Sequence, residues 1–122
     1  MIYKVGMLCK HFKGNDLLEK NIYRIEKLGV DGKDIDDSIT YTGDGDLSTA
    51  TNLVVYSNIF QDNKLFCREY EDISSELSDE KKELFHQNLR VEPLTSIEIE
   101  IIGSENFTNN KKQYIKNKYT NK

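Results

Sequence analysis

The chain of 122 residues has no tryptophan, one proline, two cysteines and two histidines, and these scarcities narrow the class of protein. Cys9 and Cys67 are too few for a disulfide-rich secreted scaffold, and neither belongs to a cluster at metal-binding spacing. No apolar run approaches the roughly 20 residues of a membrane-spanning helix. Residues 1–4 lack the apolar segment of a signal peptide. We therefore expect a cytoplasmic protein with reduced thiols, no membrane contact and no metal.

Apolar residues are also sparse, at 37% of the chain, and the mean hydropathy is −0.66. A chain of this length forms one domain, to which we assign residues 1–122, with a core over 1–106. Residues 107–122 are expected to form a C-terminal helix or a lysine-rich tail. Because the core is thin, we expect a homo-oligomer in which partner surfaces complete the burial.

Charge is unevenly distributed along the sequence. From residue 109 onward there are five lysines and no acidic residue, so at a net charge of −4 the rest of the chain carries −9. An acidic body argues against DNA, whose binding depends on neutralising many phosphates. A small ligand with one or two phosphates, held by one or two arginines, remains compatible.

Arginine is scarce beside fourteen lysines, and the three that occur are Arg24, Arg68 and Arg90. Arg24 and Arg68 fall on predicted strands, from which a guanidinium can grip a phosphate with its planar fork. The alternative is an ion pair with one of the many carboxylates. Arg90 follows a predicted helix, and we expect it to cap the carbonyls at the end of that helix.

Apolar and polar periodicity predicts an α+β fold, with an N-terminal antiparallel sheet of four to six strands and one or two C-terminal helices. Strands are predicted over residues 1–8, 21–28, 51–57 (the central strand) and 65–70, and at the alternating Ile97, Ile99 and Ile101. Ser78 is a typical N-cap for a helix over 78–87, and residues 108–119 are also compatible with a helix.

Two loops stand out in the pattern. The stretch 29–48 holds six aspartates and is expected to be a long exposed loop; an EF-hand starting at Asp44 fails because its twelfth residue is Val55, not Glu. Residues 10–15 (K-H-F-K-G-N) are expected to be the turn of a hairpin. That turn would present cationic side chains to an anion, and an exposed Phe12 to a nucleobase.

The sequence contains no recognisable catalytic motif. Neither a cysteine paired with an activating histidine nor a G-x-S-x-G or H-E-x-x-H pattern occurs. We therefore expect a binding protein that is not an enzyme and that needs no cofactor.

Four segments together resemble a known family. They are Lys10–Asn15, Ile22–Ile25, Leu53–Tyr56 and Phe66–Arg68, and their order is similar to an H-[FY]-K-G…Y-x-V…L-V-V-Y…[WF]-x-R signature of small bacterial domains. The pattern resembles most closely the phage anti-Thoeris sponge proteins, the Thoeris anti-defence protein one family. The resemblance covers residues 1–94; the aspartate-rich loop interrupts its spacing, and the lysine-rich end adds no matching motif.

The resemblance implies a non-catalytic protein that sequesters glycocyclic ADP-ribose, the signal made by Thoeris TIR-domain enzymes. It also implies a dimer or a dimer-based hexamer in the host bacterial cytoplasm, in which some members hold cyclic oligonucleotides at separate sites. Candidate ligand contacts follow from it. They are Phe12 and Phe85 for the adenine, Arg24 and Arg68 for the pyrophosphate, and His11, Lys13 and Asn88 for ribose or phosphate.

Two other interpretations remain open at this stage. One is a small β-barrel adaptor that binds protein or RNA through its basic tail, which would make nucleic-acid binding salt-dependent. The other is a small hydrolase acting on the same cyclic nucleotide.

Overall fold

The computed structural model describes the backbone of residues 2–120 and the side chains of residues 2–113. Its strands are β1 (Leu8–His11), β2 (Ile22–Val30), β3 (Thr40–Tyr41), β4 (Leu53–Asn58), β5 (Lys64–Glu69) and β6 (Val91–Pro93). Its α-helices are α1 (Tyr70–Ile73), α2 (Asp79–Phe85), α3 (Ser96–Ile102) and α4 (Glu105–Thr120). The predicted α+β class is confirmed.

The six strands form one sheet in the order β3-β5-β4-β2-β1-β6. Neighbouring strands are antiparallel, apart from the two-residue β3, which runs parallel to β5. Every residue of β4 is buried, which confirms the predicted central strand. Its continuous apolar run is what a strand covered on both faces requires.

Alternate side chains of the strands supply two different layers. On the face that we call the front, a cluster forms around Cys9, Ile25, Val54 and Tyr56. The N-terminal segment closes this cluster, because the buried Tyr3 hydroxyl donates to the Val91 carbonyl oxygen at 2.6 Å. The opposite face carries two smaller clusters, one under α3 and α4 and one under the loop between β2 and β4.

The predicted first strand over residues 1–8 is wrong. The strand begins at Leu8 and includes Lys10 and His11, which the sequence assigns to a turn. β1 lies between β2 and β6 in the sheet, and pairing with the distant β6 fixes its position. The connection to β2 occupies residues 12–21, and only Gly14, with φ +101°, keeps the expected left-handed conformation.

The strand predicted at Ile97, Ile99 and Ile101 is also wrong, because these residues lie in α3. A capping box explains the helix: the Thr95 hydroxyl accepts from the Glu98 N–H, and the Glu98 carboxylate accepts from the Thr95 N–H. The three isoleucines are exposed, and Ile102 is the buried residue of the helix. Local end signals thus override the alternating β-branched pattern.

The aspartate-rich stretch is more ordered than a plain loop. It contains β3 and two short 3₁₀ helices, and the Gly32 N–H donates to the Ala50 carbonyl at 2.8 Å to close it. Within the described residues, no group of three or more His, Cys, Asp or Glu side chains is placed to hold a metal ion.

The two cysteines are reduced, and the C-terminal segment is helical. Cys9 and Cys67 are buried free thiols, and burial raises the pKa of Cys9 to about 12. The C-terminal segment is a helix, in which Tyr114, Ile115 and Tyr119 are the apolar residues by sequence; they lie outside the described side chains. Among residues 2–120, no helix is long and apolar enough to cross a membrane.

Candidate functional site

A cavity of about 170 Å³ opens on the front face, and we call it the guanidinium pocket. Strand alternation builds it: the register pairs Cys9 with Tyr23 and Val54 with Arg68, so inward-facing residues of four strands share one face. β6 and the loop before it, together with α1 and the segment after β3, close its edges. Its lining consists of His11, Tyr23, Thr42, Tyr56, Phe66, Arg68, Ile73, Arg90 and Val91.

Two guanidiniums supply the charge of the pocket. The Arg68 Nε donates to Oδ2 of Asp72, four residues along the chain in α1, at 3.3 Å, and this bond orients the side chain. Its terminal nitrogens make no hydrogen bond with the described residues, so both remain able to donate to a ligand. The Arg90 guanidinium stands 6.0 Å from the centre of the Phe12 ring.

Arg90 does not take the capping position expected for it. The carbonyl of Phe85, the last residue of α2, instead accepts from the Lys20 ammonium at 3.2 Å. Lys20 comes from the loop after β1, a contact that no local pattern around residue 90 indicates. Arg90 instead lines the guanidinium pocket, a position that the sequence alone did not indicate.

His11 enters the pocket as a neutral donor. Burial, reinforced by the nearby charges of Lys13, Arg90, Lys20 and Arg68, lowers its pKa to about 4. Its Nδ1 accepts from the Lys13 backbone N–H at 3.3 Å, so the ring proton belongs on Nε2. At neutral pH the imidazole is therefore uncharged and has one N–H left to donate.

An aromatic wall runs beside these polar groups. The Tyr23 and Tyr56 ring centroids are 4.7 Å apart, and Tyr56 stacks on Phe66 at 6.0 Å and 23°. Burial raises the pKa of both tyrosines, which keeps their hydroxyls protonated. The pocket thus combines two positive charges, neutral hydrogen-bond donors and aromatic surface.

Arg24 and Arg68 are not brought together. Arg24 pairs with Ser57 of β4, whereas Arg68 pairs with Val54, so the two guanidiniums leave opposite faces of the sheet. The Arg24 side chain is 44% exposed and lies 4.0 Å from the Glu26 carboxylate. Of the two roles considered for Arg24, phosphate binding and pairing with a carboxylate, this geometry matches the ion pair.

The remaining sequence candidates lie outside the guanidinium pocket. Phe12 is 5% exposed and packs edge-on against Phe85 at 5.3 Å, so it is a core residue and not the exposed turn aromatic expected. Phe85 lines a different cavity, described below. Lys13 and Asn88 are exposed, and the Asn88 N–H donates to Glu92 Oε1 at 3.1 Å.

The sequence did carry a signal for two of the missed pocket residues. Tyr23 and Tyr56 occupy the same alternation phase as the buried Ile25 and Val54 of their strands. A tyrosine at such a position brings its hydroxyl to the buried side of the strand. A polar group on that side is a sign of a buried polar site. Thr42 and Arg90 had no such signal, because both lie outside regular alternation.

The pKa of His11 predicts a pH-dependent stability. Because the unfolded pKa of 6.5 exceeds the folded value of about 4, the unfolded chain binds more protons between these limits. The contribution of the neutral His11 side chain to the free energy of unfolding is therefore complete above pH 6.5, and it is lost as the pH falls towards 4. We expect the parent protein to lose on the order of 2 kcal/mol more than His11→Gln between about pH 7.5 and 4.5, measured by urea unfolding. Equal losses in the two proteins would contradict the assignment.

A scan of protein-family models finds none that matches the chain, and searches of curated proteins and of solved structures find no significant match.

Proposed function

We propose that the chain binds a small cyclic nucleotide of the glycocyclic ADP-ribose class and holds it without chemical change. The observation that carries this proposal is the guanidinium pocket, in which Arg68 and Arg90 stand beside an aromatic wall. Guanidiniums favour the paired oxygens of a pyrophosphate, and aromatic rings favour a base or a sugar face. The family resemblance supports the same ligand class.

The size of the pocket limits which part of the ligand it takes. Sites for whole drug-sized ligands span about 300–1,000 Å³, whereas this pocket has about 170 Å³. The pyrophosphate would enter between the two arginines, and the rest of the molecule would lie across the mouth. A homodimer, or a dimer-based hexamer, would enclose that outer part and add the burial that a tight binder needs.

The titratable groups of the pocket support binding over catalysis. A general base works best with a pKa near the working pH. The His11 pKa of about 4 and the raised pKa values of Tyr23 and Tyr56 move all three away from neutrality. We therefore propose a non-catalytic role that blocks Thoeris defence in the host cytoplasm by withdrawing its signal.

The adaptor interpretation depends on the basic tail, and one of the tail lysines is committed to the fold. The Lys111 ammonium is buried and donates to the carbonyls of Leu18 and Lys20, both at 2.6 Å. This lysine fixes α4 to the loop after β1, and so the number of tail cations facing a partner is smaller than the sequence suggests.

A retention experiment separates the three functions. The protein is incubated with a cyclic ADP-ribose isomer, freed of unbound ligand by gel filtration, heat-denatured and analysed by chromatography. We expect intact ligand in the supernatant. Cleaved ligand would establish a hydrolase, and absence of retention, together with salt-sensitive retention of an RNA oligonucleotide, would establish the adaptor instead.

A further inference from the structure

A second and larger cavity, of about 510 Å³, lies beside the loop after β1. It is bounded by the loop after β1, the end of α2, and helices α3 and α4, and it shares no lining residue with the guanidinium pocket. Its apolar walls are Leu17, Leu18, Phe85, Ile101 and Phe107. We call it the Phe85–Phe107 cavity.

The two ammonium groups at this cavity are already satisfied. Lys10 Nζ bonds to Glu98 Oε2 at 2.7 Å and lies 3.7 Å from Glu92 Oε2. Lys20 Nζ donates to the carbonyls of Phe12, Gly14 and Phe85 at 2.9, 2.7 and 3.2 Å. These three bonds use all the protons of the Lys20 ammonium.

The charge balance therefore selects the type of occupant. Lys10 faces two carboxylates, and Lys20 has no proton left for an anion, so neither ammonium is free to bind an anionic ligand. The carboxylate of Asp16, which also lines the cavity, repels such a ligand. Apolar side chains form most of the remaining surface, beside the polar Asn15, Asp16 and His86. The rings of Phe85 and Phe107 can contact another ring at its edge or face. The ligand preference of this cavity is therefore the opposite of that of the cationic guanidinium pocket on the front face.

We infer that the Phe85–Phe107 cavity is a second ligand site, which takes an uncharged, mostly apolar aromatic molecule. An apolar cavity of roughly 150 Å³ holds one benzene ring. The volume of about 510 Å³ therefore accommodates a ligand of several rings. The inference does not depend on what the guanidinium pocket binds.

A pair of fluorescent probes tests both the site and its charge preference. N-phenyl-1-naphthylamine is uncharged, and 1-anilinonaphthalene-8-sulfonate carries the same rings with a sulfonate. We expect saturable one-to-one binding of the uncharged probe, about tenfold tighter than that of the sulfonate. Absence of saturable binding, including the case in which a second copy of the chain covers the cavity, would overturn the inference. Equal or tighter binding of the sulfonate to the Arg68→Ala protein, in which the anion site of the guanidinium pocket is weakened, would also overturn it.

Two substitutions on α3 locate the probe. Ile101 lines the cavity and is 43% exposed, so Ile101→Asp places a charge at the wall without opening the core. Ile97 is 70% exposed and lines no part of the cavity, which makes Ile97→Asp the matched control. We expect Ile101→Asp to weaken binding of the uncharged probe about tenfold, and Ile97→Asp to leave it unchanged. Equal effects of the two variants, at equal helix content by circular dichroism, would contradict the location.

Discussion

Arg68→Ala is expected to lose about a hundredfold or more in affinity for a pyrophosphate-bearing nucleotide while remaining folded. Each charge-assisted hydrogen bond to a phosphate contributes about 1.5–3 kcal/mol, and Arg68 can offer two from its terminal nitrogens. Its side chain lies at the pocket and bonds only to Asp72 within the described residues, so the fold loses one partly exposed ion pair. Titration calorimetry with a cyclic ADP-ribose isomer measures the loss.

Arg24→Ala is the matched control for this prediction. It removes the same side chain from the same sheet, but from the opposite face. We expect its affinity to equal that of the parent protein. A loss with Arg24→Ala, or full affinity with Arg68→Ala, would mean that the phosphate does not bind in the guanidinium pocket.

Lys20→Met is expected to lower the free energy of unfolding by about 3 kcal/mol, the largest stability effect that we predict. The substitution keeps the apolar stem but removes the ammonium that joins Phe12 and Gly14 of one loop to Phe85 at the end of α2. Three carbonyls then lose a charged donor at a buried position, since Lys20 is 3% exposed. Urea unfolding followed by circular dichroism measures the change.

Lys13→Met provides the comparison for Lys20→Met. It makes the same exchange in the same loop, but the Lys13 side chain is exposed. We expect a change within about 0.5 kcal/mol, as for most surface substitutions. If the two variants lose equal stability, the loop is held by its backbone and not by the Lys20 ammonium.

Local pattern was sufficient for much of the fold. Three predicted features each depend on a stretch of only about ten residues. They are the buried run of β4, the alternation of β2 and the Ser78 cap of α2. In the two strands, short-range preference and tertiary burial favour the same structure. Helix α2 has no buried residue, and its start follows from the Ser78 cap alone. The α+β class followed from these elements without knowledge of how the strands pair.

The candidate site was less accessible to sequence reasoning, because it depends on register. Alternation tells which residues of one strand share a face, but not which face of the next strand they join. Arg24 and Arg68 therefore looked equivalent, although they lie on opposite sides of the sheet. Arg90 reaches the pocket only because β6 pairs with β1, a contact between distant parts of the chain.

That pairing of β1 with β6 also bears on how the protein is made. The Tyr3 hydroxyl meets its Val91 partner across 88 residues of sequence, and β1 finds β6 over a similar distance. Contacts of such long range close late in folding and slow it. During synthesis, one edge of β1 stays unpaired until residues 91–93 have left the ribosome. The guanidinium pocket therefore needs residues from nearly the first three quarters of the chain, and a nascent chain that ends before Arg90 and Val91 has no complete site for an anion.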